Sequence, residues 1–285
     1  RNPSRALVVI GVTGTKGKST TSELIRTLLA AGGHKVALAS TIQFKIGDES
    51  EPNLFKMTMP GRGYLQKFLR KAVDAGCTHA VIEMTSEGAR QFRHKGIELD
   101  ALVFTNLAPE HIESHGSMEA YAQAKLSLAR HLEASPKRPR YIVANADDEW
   151  GQEFLKADVE ARIPFSLRDA EPYTADDTSV RFVYKKGGLF TAPLPGVFNL
   201  KNILGAMAVC NALGVSHDAM RRALEHIPPV SSSTTRIRPI HSVRCLKHTK
   251  AKISLLSWVQ PVGAATNGSG RRWAPLPTSY VRLYF

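Results

Sequence analysis

Glycine, lysine and hydroxyl residues crowd one short stretch, Gly11-Val12-Thr13-Gly14-Thr15-Lys16-Gly17-Lys18-Ser19-Thr20-Thr21. Glycines at this density let backbone N–H groups close around phosphate oxygens, and a helix opening just after them adds its positive end. In such a loop Lys18 reaches the β- and γ-phosphates of a nucleotide and the Ser19 hydroxyl holds Mg²⁺. The generic phosphate-loop pattern has glycine where Val12 stands, so it fits only in part.

Other residues have the right types for the same chemistry. Glu83 closes the apolar run Val81-Ile82 and reads as a magnesium ligand or as an ordinary strand-end acid. His111, in a loop string, reads as a neutral imidazole ligand or a solvated side chain. Lys125, at helical spacing, reads as a surface charge unless its surroundings say otherwise. Asn145 and Asp147 follow one apolar run, and Asn199 and Asn202 stand just before and at the start of a helical one. They suit an adenine site, and they equally suit caps and turns. Arg93 could pair with a carboxylate or phosphate.

The pattern around these residues sets their places. Ala6 to Ile10 is a short continuous apolar run, as in a strand buried on both faces of a parallel sheet. Leu24, Ile25, Leu28 and Leu29 carry helical spacing over Ser22 to Ala31, stopped by Gly32 and Gly33. Val36 to Ser40, His79 to Met84, Ala101 to Asn106 and Tyr141 to Asn145 read as strands. Leu65 to Ala75, Met118 to Leu132, Asn202 to Leu213 and Ser216 to His226 read as helices. Val180 to Val183 and Leu189 to Ala192 read as a hairpin across Lys185-Lys186-Gly187-Gly188. Strands alternating with helices predict an α/β fold, a doubly wound, mostly parallel sheet. Ligands of such sheets sit at the carboxyl ends of the strands, where the motifs fall.

The string Gly14-Thr15-Lys16-Gly17-Lys18-Ser19-Thr20 resembles that of the Mur ligases and the related folylpolyglutamate synthases. Four further strings agree in order. Glu83-Met84-Thr85-Ser86-Glu87 is similar to the family's E-V-S-S-H, with Glu87 in place of the histidine. Residues 104–116 are similar to T-N-L-x-x-D/E-H-L-D-x-H-G, and Tyr121 to Leu128 to Y-x-x-A-K-x-x-L. Residues 145–148 and 194–202 resemble strings that line the family's ATP site. The resemblance implies a central ATP-binding domain over residues 1–230. It implies ATP contacts at Gly14, Thr15, Lys16, Gly17, Lys18, Ser19, Thr20, Asn145, Asp147, Asn199 and Asn202, with Lys18 and Lys125 catalytic. Metal ligands follow as Ser19 on one Mg²⁺ and Glu83, His111 and Lys125 on a second, with Lys125 carbamylated by CO₂ and His115 left as structural. Thr58, in a Thr58-Met59-Pro60 string like T-T-P, together with Thr85, Gln91 and Arg93, matches the tripeptide-synthetase branch. There these positions contact a UDP-N-acetylmuramoyl-peptide, to which an amino acid is added. The implied activity is an ATP-dependent amide ligase. The alternatives are a non-catalytic ATP-binding fragment and a folylpolyglutamate synthase-like ligase.

Composition narrows the class. A 43% apolar and 22% charged chain is an ordinary globular one. No apolar run of about 20 residues predicts a membrane span, and no secretory signal is visible. Cys77, Cys210 and Cys245 stand far apart with no CxxC pair, as buried thiols of a reduced, cytoplasmic protein do. The net charge of +13 invites a nucleic-acid reading, yet nine Lys/Arg and no acid fall within residues 231–285. Residues 1–230 hold the other 29 basic residues against all 25 acidic ones, a net of +4, so the excess belongs to a basic, poorly structured tail.

That tail has its own explanation. The family continues with P-G-R-M-E and then D-Y-A-H-T-P-D, and neither string is present. When every codon is read from its third base, Val230 to Cys245 can encode V-V-V-D-Y-A-H-T-P-D-S-L-R-A-L. In the same frame Trp258 to Thr278 can encode G-S-T-G-G-G-R-D-K-W-K-R-P-E-M-G-A-I-A-D. Both resemble strings of the family's carboxyl domain, in the family's order. The tail is thus expected to be an out-of-frame remnant of that domain, shifted near Pro229 and Val230, rather than a nucleic-acid arm. Sequencing the coding DNA from Pro228 to Thr278 is expected to restore both strings in the second frame; codons that cannot supply them would refute the shift.

Overall fold

The computed structural model describes residues 2–55, 57–110, 116–185 and 187–227. A 3-10 turn, Pro3–Ala6, leads into β1, Val8–Thr13. The phosphate-loop stretch then opens α1, Lys18–Ala31. Next come β2, Val36–Ala39, and two strands that the pattern did not predict, β3, Gln43–Ile46, and β4, Glu49–Pro52. Helix α2, Arg62–Asp74, and β5, His79–Glu83, follow, then a short α3, Ser86–Arg90. After these stand β6, Ala101–Phe104, α4, Met118–Glu133, and β7, Tyr141–Asn145. The remainder holds α5, Glu149–Leu155, β8, Ala161–Phe165, β9, Tyr173–Ala175, and the hairpin β10, Val180–Val183, with β11, Leu189–Ala192. Helices α6, Gly196–Ala212, and α7, His217–Glu225, complete the described elements.

The main sheet has eight strands in the order β4-β3-β2-β5-β1-β6-β7-β8. Strands β2, β5, β1, β6, β7 and β8 are parallel, and β3 and β4 join antiparallel at one edge. The expected doubly wound α/β sheet is therefore present, with a mixed edge. Strands β9 to β11 form a separate three-stranded antiparallel sheet.

Side chains alternate across a strand, so the two faces of the sheet build two cores. Ile10, Val12, Leu38, Val81, Val103 and Val143 pack on one side with Leu24, Ile25 and Leu28 of α1 and Ile203, Leu204 and Met207 of α6. Val9, Ala80, Ile82, Leu102, Phe104 and Ile142 pack on the other with Leu65 and Phe68 of α2, Leu128 and Leu132 of α4 and Phe154 of α5. Burial on both faces explains why these strands read as unbroken apolar runs.

Several boundaries differ from the sequence expectation. β1 begins at Val8 and runs on to Thr13, because Pro3 holds the preceding residues in a 3-10 turn. α1 begins at Lys18 rather than Ser22: its first turn is polar and carries no apolar spacing to reveal it. α6 begins at Gly196 rather than near Asn202, so Asn199 and Asn202 both lie inside the helix. Cys77 and Cys210 are free and buried, as expected of small apolar side chains. Among the described residues no helix is long and apolar enough to cross a membrane. The tail, residues 231–285, with Cys245, lies outside the described residues, as does Lys186 in the hairpin turn.

Candidate active site

Strands β1, β5 and β6 are neighbours, and their carboxyl ends bring three sequence motifs together. The Gly14–Gly17 loop leaves β1 through two residues at positive φ, Gly14 at 149° and Gly17 at 79°. A Cβ on Gly14 would stand 2.0 Å from Thr105 Oγ1, and one on Gly17 would stand 2.1 Å from Asn202 Oδ1. Only glycine fits at these two points, because both the backbone angle and the close approach exclude a side chain.

The loop is clamped from β6. Thr15 N donates to Asn106 O at 2.8 Å and Lys16 N to Asn106 Oδ1 at 2.9 Å. Thr105 Oγ1 and Asn106 Nδ2 both donate to Lys16 O, at 2.8 and 2.9 Å. Thr15 Oγ1 accepts from Ala108 N at 3.0 Å and meets the Tyr121 hydroxyl at 3.2 Å. Thr105, Asn106 and Tyr121 belong to the family-like strings, and their work is to hold the loop, which no local pattern announces.

Glu83 ends β5 at 1% exposure, with its carboxylate turned to the start of α1. Ser19 Oγ donates to its two oxygens at 3.1 and 3.0 Å. Thr41, just after β2, adds its N–H at 2.8 Å to Oε2 and its hydroxyl at 3.0 Å to Oε1. Thr41 is a residue that sequence reasoning missed. Ser19 and Glu83 thus present adjacent hard oxygens, the ligand type Mg²⁺ takes. Their separation matches the roughly 3 Å edge of an octahedron with metal–oxygen bonds of about 2.1 Å. The resemblance placed these two side chains on different ions, whereas the structure puts them in contact.

Two amines converge on the same loop. Lys18 Nζ donates back to Thr15 O at 2.8 Å. Burial lowers its pKa from the usual lysine range, opposed by the charges of Glu83 and Glu110. Lys125, on α4, is only 1% exposed, not the solvated charge a helical lysine usually is. Its Nζ donates to Gly14 O at 2.7 Å and lies 4.6 Å from the centre of the Tyr121 ring. Burial, and then the nearby Lys18 charge, push its pKa well below the ordinary lysine value. A neutral amine is the form that can act as a nucleophile. His111 and His115, the family string's two histidines, lie outside the described residues.

Residues proposed for the nucleotide base spread over α6 and the end of β7. Asn145 donates to Thr105 O at 2.8 Å and accepts from Asp147 N at 3.1 Å, so both ends of its amide work inside the protein. Asp147 accepts from Leu167 N at 3.1 Å and pairs with Lys201 at 3.4 Å. Asn199 donates to Pro195 O at 2.7 Å, and Asn202 accepts from Thr21 Oγ1 at 3.3 Å beside the loop. Asn202 is thereby brought to the phosphate loop, while Asn145 supports it through Thr105.

The remaining candidates sit on the other side of Glu83. Thr58 Oγ1 lies 2.8 Å from Thr41 Oγ1. Thr85 caps α3 through Gly88 N at 3.0 Å, a structural duty for its hydroxyl. Arg93 donates to Met59 O at 2.6 Å and also to Gln91, whose amide in turn donates to Glu87. Glu87, the departure from the family string, thus belongs to a chain Glu87–Gln91–Arg93–Met59 that joins α3 to the Thr58-Met59-Pro60 segment.

His94, next to Arg93 in sequence, is 2% exposed, with its ring 4.6 Å from the His131 ring of α4. Burial, then the charges of His131 and Lys95, push the His94 pKa down to about 4. The His131 pKa is lowered too, by burial first. A histidine held below its unfolded pKa of 6.5 contributes stability that is present above pH 6.5 and is lost as pH falls toward 4. For His94→Phe, urea unfolding is expected to show an acid-induced loss over that window smaller by on the order of 3 kcal/mol than the parent's. Parallel losses in the two proteins would show that His94 is not the titrating group.

Comparison with known proteins adds an independent line. The sequence pattern of the Mur ligase middle domain matches residues 12–210. The chain is 34% identical over 255 residues to the UDP-N-acetylmuramoyl-L-alanyl-D-glutamate--2,6-diaminopimelate ligase of Geobacter metallireducens, covering 86% of this chain and 50% of that protein. It is 35% identical over 266 residues to the UDP-N-acetylmuramyl-tripeptide synthetase of Roseiflexus sp., covering 83% of this chain and 50% of that one. A solved UDP-N-acetylmuramoyl-L-alanyl-D-glutamate--2,6-diaminopimelate ligase superposes with a TM-score of 0.67 at 27% identity, over 79% of this chain and 47% of that chain. The folylpolyglutamate synthase of Mycobacterium tuberculosis superposes with a TM-score of 0.61 at 17% identity, a likeness of fold alone, over 79% of this chain and 59% of that chain. The chain spans about half the length of the curated relatives it matches.

Proposed function

Because the chain belongs to the Mur ligase family, we propose that it provides the nucleotide-binding part of an ATP-dependent ligase that adds an amino acid to a UDP-N-acetylmuramoyl-dipeptide. The observation that carries this reading is the phosphate loop, held open by Asn106 and flanked by Ser19–Glu83 on one side and Lys125 on the other. In the reaction an oxygen of the acceptor carboxylate attacks the γ-phosphorus of ATP and ADP departs. The amine of the amino acid then attacks the acyl carbon, an amide forms and phosphate leaves.

This chain's residues have defined tasks in that sequence. The N–H groups from Gly17 to Thr20 cradle the phosphates, while those of Thr15 and Lys16 stay on Asn106, and Lys18 leaves Thr15 O to meet the transferring group. Ser19 and Glu83 hold Mg²⁺, which supplies positive charge against the phosphoryl oxygens when bound. Asn199 and Asn202 border the nucleotide. Thr58, Thr85, Gln91 and Arg93 align the acceptor, so that its attacking oxygen stands opposite the departing oxygen across the γ-phosphorus; alignment of this kind is worth several kcal/mol. The tail, read as an out-of-frame remnant of the carboxyl domain, lacks the strings with which the family's carboxyl domain closes over ATP. That feature favours a second reading, a domain that binds ATP without forming the amide.

Calorimetry is expected to show binding of ATP in the presence of Mg²⁺, weakened on the order of tenfold or more in Lys18→Ala. An assay for amide product and ADP separates the two readings: product supports the ligase, binding without product supports the nucleotide-binding domain. No binding in either protein would refute both.

Carbamylation of Lys125 extends the proposal. The neutral amine nitrogen attacks the carbon of CO₂, a proton leaves, and a cation becomes a carboxylate able to share a metal with His111. Since only the unprotonated amine reacts, the carbamate should build up as pH rises through the lowered Lys125 pKa and vanish on acidification. With ¹³C-labelled bicarbonate, a carbamate carbon resonance is expected in the parent chain and not in Lys125→Arg. A resonance that survives the substitution would assign the modification to another amine.

A further inference from the structure

The loop after β2 carries Thr41, whose contacts the ligase reading leaves without a purpose. A hydroxyl has one proton to give. Thr41 Oγ1 donates at 3.0 Å to Glu83 Oε1, which as a carboxylate oxygen can only accept, while the Thr41 N–H takes the second carboxylate oxygen at 2.8 Å. The 2.8 Å contact between Thr41 Oγ1 and Thr58 Oγ1 must then run from Thr58 to Thr41. Asn53 fastens the same segment, its Nδ2 donating to Ser40 O at 2.8 Å and to Met57 O at 3.0 Å. A directed chain results: Thr58 donates to Thr41, Thr41 to Glu83, and Ser19 completes the carboxylate from the α1 side at 3.0 Å.

We propose that Thr41 is a positioning residue that orients the Glu83 carboxylate toward Ser19 and locks the Thr58 hydroxyl so that Thr58 can only accept hydrogen bonds from the acceptor molecule. The proposal rests on the magnesium–nucleotide reading of Glu83. It has a specificity consequence. Thr58 recognises an N–H or O–H of the acceptor and turns only lone pairs to a carboxylate or phosphate oxygen, so the anionic groups of the acceptor must be met elsewhere, as by Arg93. It also makes the two halves of the site interdependent. A metal drawing on Glu83 polarises the Thr41 hydroxyl, and through it the Thr58 hydroxyl, along one chain of hydrogen bonds.

The test uses the whole chain and reads Mg²⁺ dependence rather than turnover. ATP affinity is measured by calorimetry across a series of Mg²⁺ concentrations for the parent, Thr41→Val, Thr41→Ser and Glu83→Gln, with circular dichroism to confirm folding. Thr41→Val keeps the shape and the N–H and removes the hydroxyl. It is expected to raise the Mg²⁺ concentration for half-maximal effect about tenfold, and Thr41→Ser is expected to restore the parent value. Should Thr41→Val fail to fold, Thr41→Ala replaces it. Unchanged Mg²⁺ dependence in the Thr41 variants, with a clear loss in Glu83→Gln, would overturn the role of Thr41 alone. Unchanged dependence in Glu83→Gln as well would overturn the magnesium reading, and this proposal with it.

Discussion

A carboxylate at 1% exposure on the end of a central strand is the constraint around which this site is built. Taking such a charge out of water costs several kcal/mol unless donors or cations replace the lost solvent. Among the described residues Glu83 has three donors, the Ser19 hydroxyl and the N–H and hydroxyl of Thr41, and these belong to the segments that follow β1 and β2. Parallel strands bring those segments to the same end of the sheet, and β5 lies between β1 and β2, so the acid meets one donor group on each side. The strand order is thus what allows an isolated acid to be both buried and satisfied.

The positive side of the site follows the opposite logic. Lys18 and Lys125 point at carbonyls of the phosphate loop, Thr15 O and Gly14 O, and among the described residues neither has a carboxylate within bonding distance. Burial lowers the pKa of each, and for Lys125 the Lys18 charge lowers it further. The loop itself is braced from β6, because Asn106 bonds both the N–H and the carbonyl of Lys16 and leaves the N–H groups that follow free of that clamp. An anion entering the loop would find amines already desolvated and a backbone already shaped, so little reorganisation opposes binding.

Much of this was legible in the residues. The core strands β1, β2, β5, β6 and β7 announced themselves because burial on both faces makes them continuous apolar runs. The strings around Glu83 and Lys125 marked side chains that composition alone would have left on the surface. What stayed hidden was nonlocal or chemically disguised. In β3, Gln43 and Lys45 occupy alternate positions that pattern reading assigns to solvent, yet both are buried because Glu23 of α1 receives them, at 3.3 and 3.0 Å. In β4, Glu49 to Pro52 is exposed throughout, so no periodicity exists to be read. Thr41 and Asn106 are ordinary residues in sequence, and their importance comes from partners 42 and 90 positions away.

The relation of Asn145 to the loop shows how such support is built. Asn145 lies in a string that accompanies nucleotide binding, and the natural inference from the string is a hydrogen bond to the base. Within the protein its amide also bonds Thr105 O and Asp147 N. Thr105 in turn gives its own hydroxyl to Lys16 O, at the heart of the phosphate loop. Gly151 must lack a side chain for this arrangement, since a Cβ there would stand 1.9 Å from Asn145 O. Removing the Asn145 amide would leave a buried carbonyl unsatisfied, which costs about 1–3 kcal/mol, and would loosen Thr105 and the loop behind it. A string of this kind can therefore serve binding through its contacts inside the protein, because the geometry of the phosphate loop is set from the strand next to it.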